Sequence, residues 1–146
     1  MNRVGIKGQG ESVWLAWFLV ENHRRFAQLC KILDLDNLAD QHLMRVNRLQ
    51  ETIDLVAWDG NWYLRVYYDD GTPLGSHRNK ERQIDFLPQS WSVLTGSAPK
   101  MEQKLAMQAV KAHLVEEEDL LIKLFSPQFD ETQKAVSYTH LRAHET

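Results

Sequence analysis

Gly10-Glu11-Ser12-Val13-Trp14-Leu15-Ala16-Trp17-Phe18-Leu19-Val20 sets the architecture, because every residue from Val13 to Val20 is apolar. A helix that is apolar on all sides must be covered on all sides. Trp14 and Trp17 fall on one face of that helix. Gly8 and Gly10 loosen the backbone before it, and Ser12 stands where an N-cap is needed. The helix is expected over Glu11–Leu33: polar from Glu21 to Arg25, then apolar at Phe26, Leu29, Ile32 and Leu33 at helical spacing. Its first half should be deeply buried and its second half half-exposed. A complete domain rarely starts on its most buried element, so the domain is expected to begin upstream of Met1.

A second helix is predicted over Asn37–Trp58, with Asp36 as its cap. Leu38, His42, Val46, Leu49, Ile53 and Val56 repeat at steps of three and four, which makes one apolar stripe. A helix apolar all round followed by one apolar on a single face suggests an inner helix backed by an outer one. A coiled coil is the alternative, but the stripe is short and His42 breaks it. Asn61–Tyr68, rich in aromatic and β-branched residues, reads as a short strand, and Asp69-Asp70-Gly71-Thr72-Pro73 as a turn. Gln83–Thr95 should begin extended and become helical, with Pro88 in the first turn. Lys100–Leu114 reads as an amphipathic helix with Met101, Leu105, Ala109 and Ala112 on its apolar face. The acidic cluster Glu116–Asp119 suits a helix N-terminus. Leu120–Phe125 is a short apolar segment, and Ser126–Asp130 a loop. The class is mainly α with a short β-like segment.

The 146 residues suit one domain, and a net charge of -3 gives no electrostatic argument for nucleic acid or an anionic membrane. No apolar run approaches the roughly 20 residues of a membrane span, so no membrane contact is expected of this segment. The single cysteine, Cys30, lies in a helical pattern and reads as a buried inert thiol, which fits a reducing, cytoplasmic setting. No Cys/His cluster has metal spacing, and no Gly-x-Ser-x-Gly elbow occurs. The Gly5/Gly8/Gly10 pattern is neither a dinucleotide fingerprint nor a P-loop. The carboxylates Glu11, Asp69, Asp70, Glu81, Asp85 and Asp130 read first as caps, turn residues or solvated charges. Aromatic and polar residues mix in two non-helical groups: Trp62, Tyr63, Arg65, Tyr67, Tyr68, Asp69 and Asp70, and then Gln89, Ser90 and Trp91. Aromatic faces beside amides and carboxylates suit a sugar, though core aromatics give the same pattern.

Several longer motifs occur in order: Asn2-Arg3-Val4-Gly5, Gly8-x-Gly10-Glu11-Ser12-Val13-Trp14-Leu15-Ala16-Trp17-Phe18-Leu19, Trp62-Tyr63, Asp69-Asp70-Gly71-Thr72-Pro73-Leu74-Gly75-Ser76, and Ile84-Asp85 with Gln89-Ser90-Trp91. Together they resemble the inverting glycoside phosphorylases, the family of cellobiose and chitobiose phosphorylases. Gly10–Trp14 and Asp69–Pro73 resemble chiefly the phosphorylase-like domain of cyclic β-1,2-glucan synthases. The resemblance covers Met1 to about Lys134. It implies a partial α/α barrel of paired inner and outer helices. The implied reaction is inverting phosphorolysis of a β-glucoside, or the reverse glycosyl transfer, with inorganic phosphate as co-substrate and no other cofactor or metal. Phosphate replaces water as nucleophile, so one carboxylic acid suffices where inverting hydrolases use two carboxylates.

In that family the acid lies in an Asp-Trp-Asn-Asp-Gly motif, and Met1–Gly5 resembles the residues that follow it. No catalytic residue is therefore assigned here, and the phosphate-binding residues are expected beyond Val136. The chain alone is expected to be inactive, its partners being a β-linked glucose oligosaccharide and the remainder of the barrel. Asn2 and Arg3 are expected beside the acid. Ser126, Phe129 and Asp130 are expected in a loop bordering the acceptor sugar, and Gln89 on a sugar hydroxyl. Val136–Thr146 resembles a translated sequencing adapter, so residues 1–135 are assigned to the catalytic-domain segment and 136–146 to a disordered foreign tail whose His140/His144 pair carries no metal. The alternative reading is a small stand-alone helical module that binds carbohydrate or protein.

Overall fold

Helices carry the fold, and short antiparallel strand pairs tie their ends together. The computed structural model describes residues 4–130. In chain order these form β1 (Glu11–Ser12), α1 (Val13–Ile32), α2 (Asp36–Ala57), β2 (Val66–Tyr67), β3 (Pro73–Leu74), β4 (Ile84–Asp85), α3 (Phe86–Leu94), α4 (Lys100–Leu114), β5 (Val115–Glu116), β6 (Leu121–Ile122) and β7 (Phe125–Ser126). The chain is mainly α, as the sequence patterns predict.

α1 and α2 form a hairpin through a turn in which Asp34 takes φ 59°. Near that turn, Ala27 and Cys30 of α1 pack on Ala39 of α2. At the far end Val13, Trp17 and Val20 meet Val46, Ile53 and Ala57. Trp17 is wholly buried, edge-on to Tyr63 at 5.3 Å between ring centroids. Burying a large apolar side chain contributes roughly 1.5–3 kcal/mol, so this cluster anchors the hairpin.

The expectation that Val13–Val20 is covered on every side is not met among the described residues. Leu15 is 37% exposed, and Phe18 and Leu19 are each 43% exposed. One flank of α1 faces α2 and α3, with Phe18 edge-on to Trp91 at 5.3 Å. The other flank has no cover among the described residues.

Other boundaries shift for identifiable reasons. Ser12 is the N-cap residue of α1 but makes no capping bond. Its Oγ instead accepts from Arg65 Nη1 at 3.0 Å. Asp36 is the first residue of α2 rather than its cap, which is Leu35. Of Asn61–Tyr68 only Val66–Tyr67 is a strand, with an isolated bridge from Trp58 to Tyr63. α3 is capped by Asp85, whose carboxylate accepts from Leu87 N at 3.0 Å. α4 has the predicted bounds but the wrong face was expected inside. Gln103, Ala106, Val110 and Leu114 are buried, and Met101 is 68% exposed. Gln103 is admitted to the interior because its amide donates to Ala98 O at 2.6 Å. The acidic cluster lies in the turn between β5 and β6, not at a helix start.

The strand pairs gather at one end. β1–β2–β3 is an antiparallel sheet with Ser12 opposite Val66 and Val66 opposite Leu74. β4 pairs with β7, placing Ile84 opposite Ser126 and Asp85 opposite Phe125. This end therefore collects the glycine loop before α1, the long connection between α2 and α3, and the segment after α4.

Candidate functional site: the strand-rich end

The glycine loop is held by a carboxylate. Asp69 Oδ2 accepts from Lys7 N at 2.8 Å, and Oδ1 from Gln9 N at 2.8 Å and Gly10 N at 2.9 Å. These bonds, led by that from Lys7, hold the Asp69 carboxyl below its ordinary value. Asp69 N donates back to Val4 O at 3.0 Å. Gly10 is needed for space: a Cβ there would lie 2.5 Å from Val4 O and 2.9 Å from Gly5 Cα.

Behind the loop lies a buried ion cluster. Asp85, fully buried, pairs with the Arg82 guanidinium and with Arg65 Nε at 3.2 Å. Arg65 reaches on to Ser12, so the start of α1 and the cap of α3 share one network. Burial pulls Arg65 below its ordinary value, while Asp85 opposes the shift; a guanidinium stays charged regardless. The Arg82 guanidinium also lies over the Phe125 ring at 4.4 Å and the Phe129 ring at 5.6 Å, and the Arg82 backbone N–H donates to Pro127 O at 2.8 Å. Arg82, paired with Asp85, thus braces β7 and the segment after it.

The expected substrate-binding residues fare differently. Asn2 and Arg3 lie outside the described residues. Their neighbour Val4 is buried with Val66, Tyr68 and Leu74, and Phe129 packs against that cluster. Val4, next in sequence to Asn2 and Arg3, and the loop bearing Phe129 therefore contribute to one apolar cluster. Ser126 sits half-buried in β7, and Asp130 is exposed with its N–H donating to Glu81 Oε1 at 2.7 Å. Gln89 stands apart. It is fully buried, its Oε1 accepts from Tyr63 N, and its Nε2 donates to Tyr63 O and Asp85 O. Both amide hydrogens are engaged, which leaves no donor for a sugar hydroxyl.

The sequence reading missed Arg82 altogether and saw Arg65 only as one member of an aromatic group. The Arg82–Asp85 spacing was the available signal. Among the described residues no group of three or more His, Cys, Asp or Glu could hold a metal, and no helix is long and apolar enough to cross a membrane. The His140/His144 pair lies outside the described residues.

Fold and sequence together place the chain in a glycosyl hydrolase catalytic-domain family. The family model for the glycosyl hydrolase 94 superfamily catalytic domain matches residues 1–143, and the chain belongs to that superfamily, an α/α-barrel family. The match runs past Lys134 into the segment read as adapter-like. Among individual proteins, the chain is 43% identical over 141 residues to the cyclic beta-(1,2)-glucan synthase NdvB of Rhizobium meliloti (strain 1021), covering 94% of this chain and 5% of that protein. It is 34% identical over 111 residues to solabiose phosphorylase of Paenibacillus borealis, covering 75% of this chain and 14% of the relative. Cellobionic acid phosphorylase of Neurospora crassa is 29% identical over 136 residues, covering 93% and 17%. The chain thus spans well under a fifth of the length of each of these relatives.

Proposed function

We propose that this chain forms part of a catalytic domain that acts on β-glucosides by inverting phosphorolysis or the reverse glycosyl transfer, of the cyclic β-1,2-glucan synthase type. The observation that carries the reading is the packing of Phe129 against the apolar cluster that holds Val4, at the strand-rich end of a chain of this superfamily. It supports a reading in which Asn2 and Arg3, preceding Val4 in sequence, act together with the loop of Ser126, Phe129 and Asp130. In this reading the sugar lies along that junction and inorganic phosphate is the co-substrate. The protein works in the cytoplasm beside the remainder of its barrel. Gln89 acts behind the site, holding Tyr63, rather than on the sugar.

The motif Asp-Trp-Asn-Asp-Gly is absent from the 146 residues, so the chain by itself supplies binding and no general acid. Loss of a general acid alone costs about 10²–10⁴-fold. Incubating the purified chain and phosphate with cellobiose, chitobiose or β-1,2-glucan oligomers should release no sugar 1-phosphate. Release from any of them would overturn the division between binding here and acid catalysis elsewhere.

A further inference from the structure

A groove on the flank of the β1–β2–β3 sheet has the makings of a second sugar subsite. Two adjoining clefts, of about 460 and 300 Å³, share Glu11, Val56 and Tyr67 as walls. They fall within the range of about 300–1,000 Å³ usual for small-molecule sites. Tyr67 is half-buried and its hydroxyl donates to Val56 O, so its ring is fixed as a platform rather than a mobile side chain. Gln9 and Glu11 stand exposed at the rim, an amide and a carboxylate beside an aromatic ring. Asp69 completes the rim, immobilised by its bonds to Lys7, Gln9 and Gly10. Tyr68 lines the larger cleft and packs in the same cluster as Val4, against which Phe129 lies. The groove and the 125–130 loop thus share a wall.

Charge selects the ligand. Among the described residues neither cleft is lined by Lys or Arg, while Glu11 and Asp69 both carry carboxylates. An anion would meet like charge on entering. A neutral polyol offers hydroxyls to Glu11 and Gln9 and a ring face to Tyr67. We infer that the Gln9–Glu11–Tyr67 groove binds a further unit of a neutral glucan chain, continuing the path from the 125–130 loop past Tyr68. This rests on the β-glucoside reading above and goes beyond it by placing a second point of contact.

Titration of the full ¹⁵N-labelled chain with a neutral β-1,2-linked glucose oligosaccharide, followed by amide chemical shifts, tests it. The amides of Gln9, Glu11, Tyr67 and Gly71 should move, and Glu11→Gln should weaken binding about tenfold through loss of a charge-assisted bond. Gln9→Ala, also at an exposed position, should weaken it without changing the melt. Inorganic phosphate alone should leave these amides in place. Shifts confined to the 125–130 loop would overturn the second subsite and keep the proposed function. Equal shifts with phosphate would overturn the neutral-sugar assignment. No shift anywhere with the oligosaccharide would overturn both.

Discussion

Gln89 grips the Tyr63 backbone from both sides, accepting from its N–H and donating to its C=O, each at 2.8 Å. Tyr63 is itself fully buried, with its ring against Trp17 and Trp58. The buried N–H and C=O of Tyr63 are thus satisfied by a side-chain amide rather than by a neighbouring strand.

Gln89→Ala should therefore cost about 2–4 kcal/mol, since it leaves two buried backbone groups without partners. Urea unfolding measures it. A variant as stable as the parent but weaker in saccharide binding would return Gln89 to the sugar.

Asp85→Asn should be more severe. Two guanidiniums would lose their shared anion in the interior, a loss of about 3–5 kcal/mol for a broken buried pair. Hydrogen exchange should rise at Phe125 and Phe129, which Arg82 holds. Unchanged exchange there would separate the ion cluster from the loop.

Gly10→Ala should destabilise by about 1–3 kcal/mol, because the added carbon meets backbone atoms, Val4 O and Gly5 Cα, which cannot swing aside. A thermal melt matching that of the parent would mean the loop adjusts freely.

His23 Nδ1 and His42 Nδ1 lie 2.7 Å apart between α1 and α2, beside Phe26. Burial first, then His42 and Arg45, holds His23 below its ordinary 6.5. The unfolded chain therefore takes up this proton first as the pH falls. The stability contributed is full above the unfolded value and lost as pH falls through the folded one. The melting temperature should drop from about pH 7.5 to about pH 5.5, and the drop should be smaller in His42→Gln. Equal drops in both proteins would assign the pH dependence to other groups.

The helices were legible in the sequence because their signals are local. The bounds of α4 are those predicted and α2 is displaced by one residue, since period and breakers mark such ends directly. Which face turned inward was harder. Gln103 is buried and Met101 exposed, because a single bond to Ala98 O outweighs polarity. The strand-rich end was barely legible. Pairing Ile84 with Ser126, or packing Phe129 on the cluster of Val4, Val66, Tyr68 and Leu74, leaves no periodic trace. The sequence marks Asp69 and Asp85 as caps, turn residues or solvated charges, and Asp85 does cap α3. What they also hold, a loop and two arginines, depends on neighbours distant in sequence.

The apolar cluster that holds Val4 and takes Phe129 against it joins residues separated by nearly the whole described chain. Closing so long a loop costs entropy that the α1–α2 hairpin, built from near neighbours, does not face. The strand-rich end should then assemble last and open first, ahead of the hairpin. A saccharide lying across that junction would bind only the closed form and so draw the equilibrium toward it. In this protein the ligand would serve as a clasp, completing the last step of folding as it binds.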